Sequence, residues 1–146
     1  MASQSQLETL IELARRETDD AAKRLGIALK AVADAEEKLN MLMGYRDEYG
    51  RRFEASQLAG ITPMAYRNFQ AFMEKLDNAI KGQEEVLRHS QRKGEQEKSM
   101  WQDAERKRMS YSTLNDRAQA QALKLEAKRD QKAMDEHAAR QAFYKR

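Results

Sequence analysis

Apolar and small residues return every seven positions along the first part of this chain, in two interleaved series. One series reads Ile11, Thr18, Leu25, Val32, Leu39, Arg46, Phe53; the other reads Leu7, Ala14, Ala21, Ala28, Ala35, Leu42, Tyr49. They alternate at spacings of three and four, the a/d pattern of a coiled coil, sustained over about seven heptads. A strict seven-residue repeat falls short of two full turns of a straight helix, so such a seam supercoils left-handed around its partner. The alanines let a neighbouring helix come close, although each buries little area.

The repeat ends at one strong break, Leu58-Ala59-Gly60-Ile61-Thr62-Pro63. Gly60 can take a positive φ and stop a helix. Thr62 is a natural N-cap, and Pro63 fits the first helical turn, where its missing N–H costs nothing. Ile61 and Tyr66 occupy the two positions of a hydrophobic staple. The expected fold is therefore all-α: one domain over residues 1–146, with helix one at about 4–57, a turn at 58–62 and helix two at about 63–144. A short connection between long helices favours an antiparallel coiled-coil hairpin.

The second seam reads Tyr66, Phe69, Met73, Leu76, Ile80, Gln83, Leu87. From Arg88 to Ser99 the sequence is polar apart from Gly94, and the seam is expected to fade there. Apolar spacing returns with Met100, Trp101, Ala104, Tyr111, Leu114, Ala118, Ala122 and Leu125. At 1.5 Å per residue, helix one is about 80 Å long and helix two about 120 Å. If the chain reverses near residue 59, residue 7 faces a point near 111. The C-terminal helix then overhangs past about Leu114, and such an overhang is expected to fray when nothing is docked on it.

Composition narrows the function. Charged residues make up 35% of the chain, yet 27 basic against 24 acidic residues leave a net charge of only +3. That balance describes mixed, solvated helix faces better than a phosphate-binding surface, which needs clustered cations. The Arg106-Lys107-Arg108 and Lys128-Arg129 runs are the remaining nucleic-acid candidates. The chain has no Cys, which excludes disulfides, thiolate metal sites and a Cys nucleophile. No apolar run is long enough for a signal peptide or a membrane span, so a soluble cytoplasmic protein without direct membrane insertion is expected. His89 and His137 lack a second ligand at helical spacing, and no Gly-rich phosphate loop occurs. No enzyme activity, cofactor or metal is expected.

A two-helix seam needs only its a and d positions, and helix two carries more. Phe72, Ala79 and Val86 lie beside the seam on one flank, while Gln70, Asp77, Glu84 and Gln91 lie on the other. Hairpin pairing brings residues 42–49 opposite 69–76. Leu42, Tyr45, Tyr49, Phe72, Leu76 and Ala79 then form one patch near the turn, with no third layer to cover it. Either these residues widen the seam locally or they form a contact site for another protein.

The order of several short segments resembles the FliJ family, small coiled-coil components of the bacterial flagellar type III export apparatus. The segments are Leu39-x-x-Leu42-x-x-Tyr45-Arg46-x-Glu48-Tyr49, Gly60-Ile61, Phe69-x-x-Phe72-x-x-x-Leu76-x-x-Ala79-Ile80-x-x-Gln83, Trp101, Leu114-x-x-Arg117 and Asp130-Gln131-Lys132-x-Met134-Asp135-Glu136-x-Ala138. The resemblance implies a non-enzymatic adaptor shaped like the central stalk of a rotary ATPase. Its implied partners are the hexameric flagellar export ATPase, bound through the end that carries both termini, the cytoplasmic domain of the membrane export gate, and the flagellar export chaperones. It implies a cytoplasmic protein peripherally associated with the export apparatus at the inner membrane. The family's gate-contacting cluster falls on Phe72, Leu76, Ala79 and Gln83, the last a position where some relatives carry His. A second surface cluster falls on Leu42, Tyr45 and Tyr49. A generic coiled-coil spacer or a self-associating structural adaptor is the alternative reading.

Overall fold

The computed structural model describes residues 4–145. Two helices account for nearly all of them: α1, Gln4–Ala59, and α2, Pro63–Tyr144. The chain packs in two units, Asp20–Gln102 and the paired segments Met1–Asp19 with Asp103–Arg146. In each unit, rising numbers on α1 meet falling numbers on α2, so the helices run antiparallel. In Asp20–Gln102, Tyr49 contacts Phe69, Arg46 bonds Asp77 and Gln83 bonds Ala35. In the other unit, Glu17 accepts a hydrogen bond from Lys107, and Gln4 donates one to Asn115.

The reversal is tighter than expected. Helix α1 continues two residues beyond the predicted end, because Leu58 and Ala59 contain nothing that breaks a helix. It stops where Gly60 takes a φ of 88° and its N–H bonds the carbonyl of Gln57 at 3.2 Å. Thr62 caps α2: its Oγ1 accepts from the Ala65 N–H at 3.1 Å, and its carbonyl accepts from Tyr66 at 3.0 Å. Three residues, Gly60 to Thr62, make the connection.

The a/d series of α1 forms the inner face. Ala14, Ala21, Ala28 and Ala35 are at most 5% exposed, and Leu39 and Thr18 are buried with them. Leu7, Ile11, Leu25, Val32, Leu42, Tyr49 and Phe53 are half-buried. Arg46 is the exception: it lies exposed and reaches across to Asp77. Thr18 directs its hydroxyl to the Ala14 carbonyl at 2.9 Å, which satisfies the one polar side chain in this row of alanines.

The seam of α2 does not fade where the sequence turns polar. It continues at the same spacing through half-buried Ser90, buried Gly94 and buried Glu97 to half-buried Trp101 and Ala104. The reason lies on α1. Against a row of alanines the interhelical gap is narrow, and a glycine or a polar side chain lying flat fills it as well as leucine would. Gly94 faces Val32 and Leu29. Glu97, 5% exposed, pairs with Lys93 at 3.2 Å and with Arg24 at 3.4 Å, although its Oε2 accepts no hydrogen bond. Farther along, Met100 and Leu114 turn out exposed, while Tyr111 lies half-buried as its spacing predicts and Arg108, which the spacing did not include, joins it on the inner face. Every residue from 116 to 145 is exposed, Ala118, Ala122 and Leu125 included, yet α2 remains helical to Tyr144. Its sequence there is rich in Ala, Gln, Lys and Glu, which favour helix without tertiary support.

Candidate functional site: an aromatic shoulder near the turn

The turn-proximal part of the Asp20–Gln102 unit carries a run of rings. Tyr49 lies 5.1 Å from Phe69 and 4.2 Å from Phe72 between ring centroids, and Phe53 lies 5.5 Å from Tyr66 and 5.1 Å from Phe69. All four pairs are tilted, a geometry that avoids facing two electron-rich ring faces. These side chains are wider than a two-helix seam. Phe69 and Phe53 fit inside it, and Phe72 is pushed out to 42% exposure.

Tyr45, Tyr49, Phe72 and Leu76 line one depression of about 180 Å³, closed at its rim by Glu48 and Arg52. Tyr45, 53% exposed, and Phe72 stand up at its edges, while Leu76 is buried and forms its floor. Leu42 is half-buried in the seam and Ala79 is exposed one turn beyond. Gln83 is buried, and its Nε2 donates to the Ala35 carbonyl at 3.1 Å, so its amide is already engaged by the opposite helix. Among the seven predicted residues, the structure gathers Tyr45, Tyr49, Phe72 and Leu76 around one concavity. Leu42, Ala79 and Gln83 do not line it.

Sequence reasoning passed over the rim. Glu48 and Arg52 sit four apart on α1 and pair at 2.9 Å. Their i,i+4 spacing was the available signal. With its charges matched internally, this rim offers little net field, and the concavity presents mainly apolar surface.

His89 and His137 are exposed, and among the described residues no group of three or more potential ligands converges on a metal position. The basic run at 106–108 is internally matched: Arg106 pairs with Asp103, Lys107 with Glu17, and Arg108 with Glu105. No helix among the described residues is long and apolar enough to cross a membrane.

The sequence matches the family model described as "Flagellar FliJ protein" over residues 3–146. Two curated relatives carry that same name. The protein from Escherichia coli strain K12 is 35% identical over 145 residues, covering 99% of each chain. The one from Salmonella typhi is 37% identical over 145 residues, again covering 99% of each.

Proposed function

This chain belongs to the FliJ family of flagellar proteins, and from that premise we propose that it acts as a non-catalytic, stalk-like partner of the hexameric flagellar export ATPase. It is a component of the flagellar export system. In the proposed role it also binds the cytoplasmic domain of the membrane export gate and escorts export chaperones. It works in the cytoplasm, peripherally associated with the export apparatus at the inner membrane, as one coiled-coil module.

The observation that carries the gate contact is the exposed aromatic shoulder. Tyr45 and Phe72 are large, half out of the seam, and flank a concavity with little net charge. Anchors of this kind supply most of the energy in protein contacts. The ATPase contact is supported by residues 116–144, the last part of α2, which is exposed throughout. It displays Leu123, Leu125, Met134, Phe143 and Tyr144, and the last two rings lie 5.9 Å apart.

The test is to replace Tyr45→Ala and Phe72→Ala together and titrate the purified gate domain by calorimetry. Both side chains are exposed, so helicity should be retained. Leu76→Ala is unsuitable alone, because Leu76 is also part of the buried seam. A loss of at least tenfold in affinity is expected. Unchanged affinity with intact helicity would remove the shoulder from gate binding and favour the spacer reading.

A further inference from the structure

The flank opposite the aromatic shoulder holds a second, larger concavity. Phe53, Phe69 and Met73 form its floor, and Gln70, Glu74 and Asp77 form its wall, around a volume of about 470 Å³. On the helical wheel of α2, Gln70 and Asp77 lie on one side of the Phe69–Met73–Leu76 seam, and Phe72 and Ala79 lie on the other. The sequence presents this flank as polar. The structure shows that its polar residues are the wall of an apolar trough, whose floor is the same half-buried aromatic run seen from the other side.

The charges of the two flanks differ. On the shoulder, Glu48 is matched by Arg52. On the trough, Asp77 is matched by Arg46 at 2.5 Å, but Glu74 is exposed and takes part in no ion pair among the described residues. Beyond the Arg46–Asp77 pair the same side continues with Met43, Asp47, Ile80, Lys81 and Glu84, where carboxylates again outnumber the free lysine. The trough is therefore apolar at its base and acidic along its edge.

We propose that this trough is a docking site for a basic amphipathic helix of a partner protein. The backbone of both flanking helices is hydrogen-bonded within each helix, so no edge is open to an added strand and recognition must run through side chains. Phe69, Met73 and Asp77 follow one another at four-residue spacing, so the trough, floor and wall together, extends about 12 Å along α2, close to two turns of a third helix laid alongside. Such a helix places one or two aliphatic or aromatic residues on Phe53, Phe69 and Met73, and a Lys or Arg within reach of Glu74. The site is separate from the shoulder, and its failure would leave the gate reading untouched.

The test uses the full chain and two synthetic helical peptides of identical leucine pattern. One carries lysines on its polar face and the other glutamates. Binding is measured by fluorescence anisotropy at physiological salt. The lysine peptide should bind and the glutamate peptide should bind at least tenfold more weakly. Glu74→Lys should reduce lysine-peptide affinity about tenfold, and Glu74→Gln by less. Phe72→Ala, on the other flank, should leave the affinity for the lysine peptide unchanged, whatever it does to gate binding. Because Glu74 is exposed, these variants keep the fold, which circular dichroism checks. Equal binding of both peptides, indifference to Glu74→Lys, or loss on Phe72→Ala would each overturn the proposal. So would sedimentation showing a dimer that Glu74→Lys dissociates, since the occupant would then be a second copy of this chain.

Discussion

Two stretches of one seam, both within Asp20–Gln102, are made of opposite materials. Near the turn, Tyr49, Phe53, Tyr66, Phe69 and Phe72 form ring contacts with centroids 4.2 to 5.5 Å apart. Farther from it, Ala21, Ala28 and Ala35 line up with Gln83, Gly94 and Glu97. The aromatic stretch buries much area but cannot hide it all, so side chains spill onto both flanks as the shoulder and the trough. The alanine stretch closes tightly over its seam, with Ala21, Ala28 and Ala35 at most 5% exposed. Its register is marked by two polar contacts that cross between the helices, Gln83 on the Ala35 carbonyl and Glu97 with Arg24, while Lys93 supports Glu97 from within α2. Stability and adhesiveness thus coincide near the turn, while register is set elsewhere by residues that contribute little apolar area.

The sharpest way to break this contrast is Phe69→Ala. Phe69 touches both Tyr49 and Phe53 and is half-buried, so its truncation removes the centre of the aromatic run. A loss of about 2–3 kcal/mol is expected, a little less than for a fully buried ring. For a chain of this size that corresponds to a fall in Tm of roughly 5–10 °C, read by circular dichroism at 222 nm. A fall of under a degree would mean that the aromatic stretch does not anchor the hairpin, and the contrast would fail.

Gly94→Ala probes the other stretch and should move stability the opposite way. A Cβ on Gly94 would meet Val32 Cγ2 at 3.8 Å and Leu29 Cδ2 at 4.0 Å, ordinary contact distances, so the narrow seam has room for it. Removing a helical glycine reduces the freedom of the unfolded chain and adds a methyl group to the interface. A gain of about 1 kcal/mol is expected, visible as a Tm higher by roughly 2–4 °C. A loss instead would show that the alanine stretch is already packed to its limit, and the difference between the stretches would shrink to chemistry alone.

Much of this was legible beforehand because a heptad repeat is a local signal. The two α1 series, the Gly60–Pro63 break and the pairing of 42–49 with 69–76 all follow from spacing, cap chemistry and chain reversal. The polar seam at 88–99 was not legible, because hydropathy judges each helix alone. Whether Gly94 or Glu97 can face inward depends on the alanines opposite, some sixty residues away in sequence. The candidate site divides for the same reason. Tyr45 and Phe72 were readable as excess apolar width. The inward position of Gln83 was readable from the seam spacing, but its bond to the Ala35 carbonyl, the Glu48–Arg52 rim and the trough beneath Gln70 and Glu74 were not, because a spacing says nothing of how side chains meet.

The smallest expected effect separates charge from ring packing by pH. In the unit that contains Asp103–Arg146, Arg108 grips Glu105 with two hydrogen bonds, Nε to Oε2 at 3.2 Å and Nη2 to Oε1 at 2.5 Å. Those bonds, opposed by partial desolvation and aided by the guanidinium charge, hold the Glu105 carboxyl below its ordinary value of 4.5. A carboxyl depressed on folding stabilises the native state above its unfolded pKa, and that contribution is lost as pH falls through the folded value. Arg108 stays charged throughout, so only the carboxyl titrates. Glu105→Gln should therefore lower Tm slightly at pH 7, by about 1 °C, and the deficit should be smaller at pH 3. The five rings near the turn carry no carboxylate, so the Phe69→Ala deficit should be equal at both pH values. If that deficit also shrank in acid, ring packing and charge would not act independently, and the contrast between the two materials would blur.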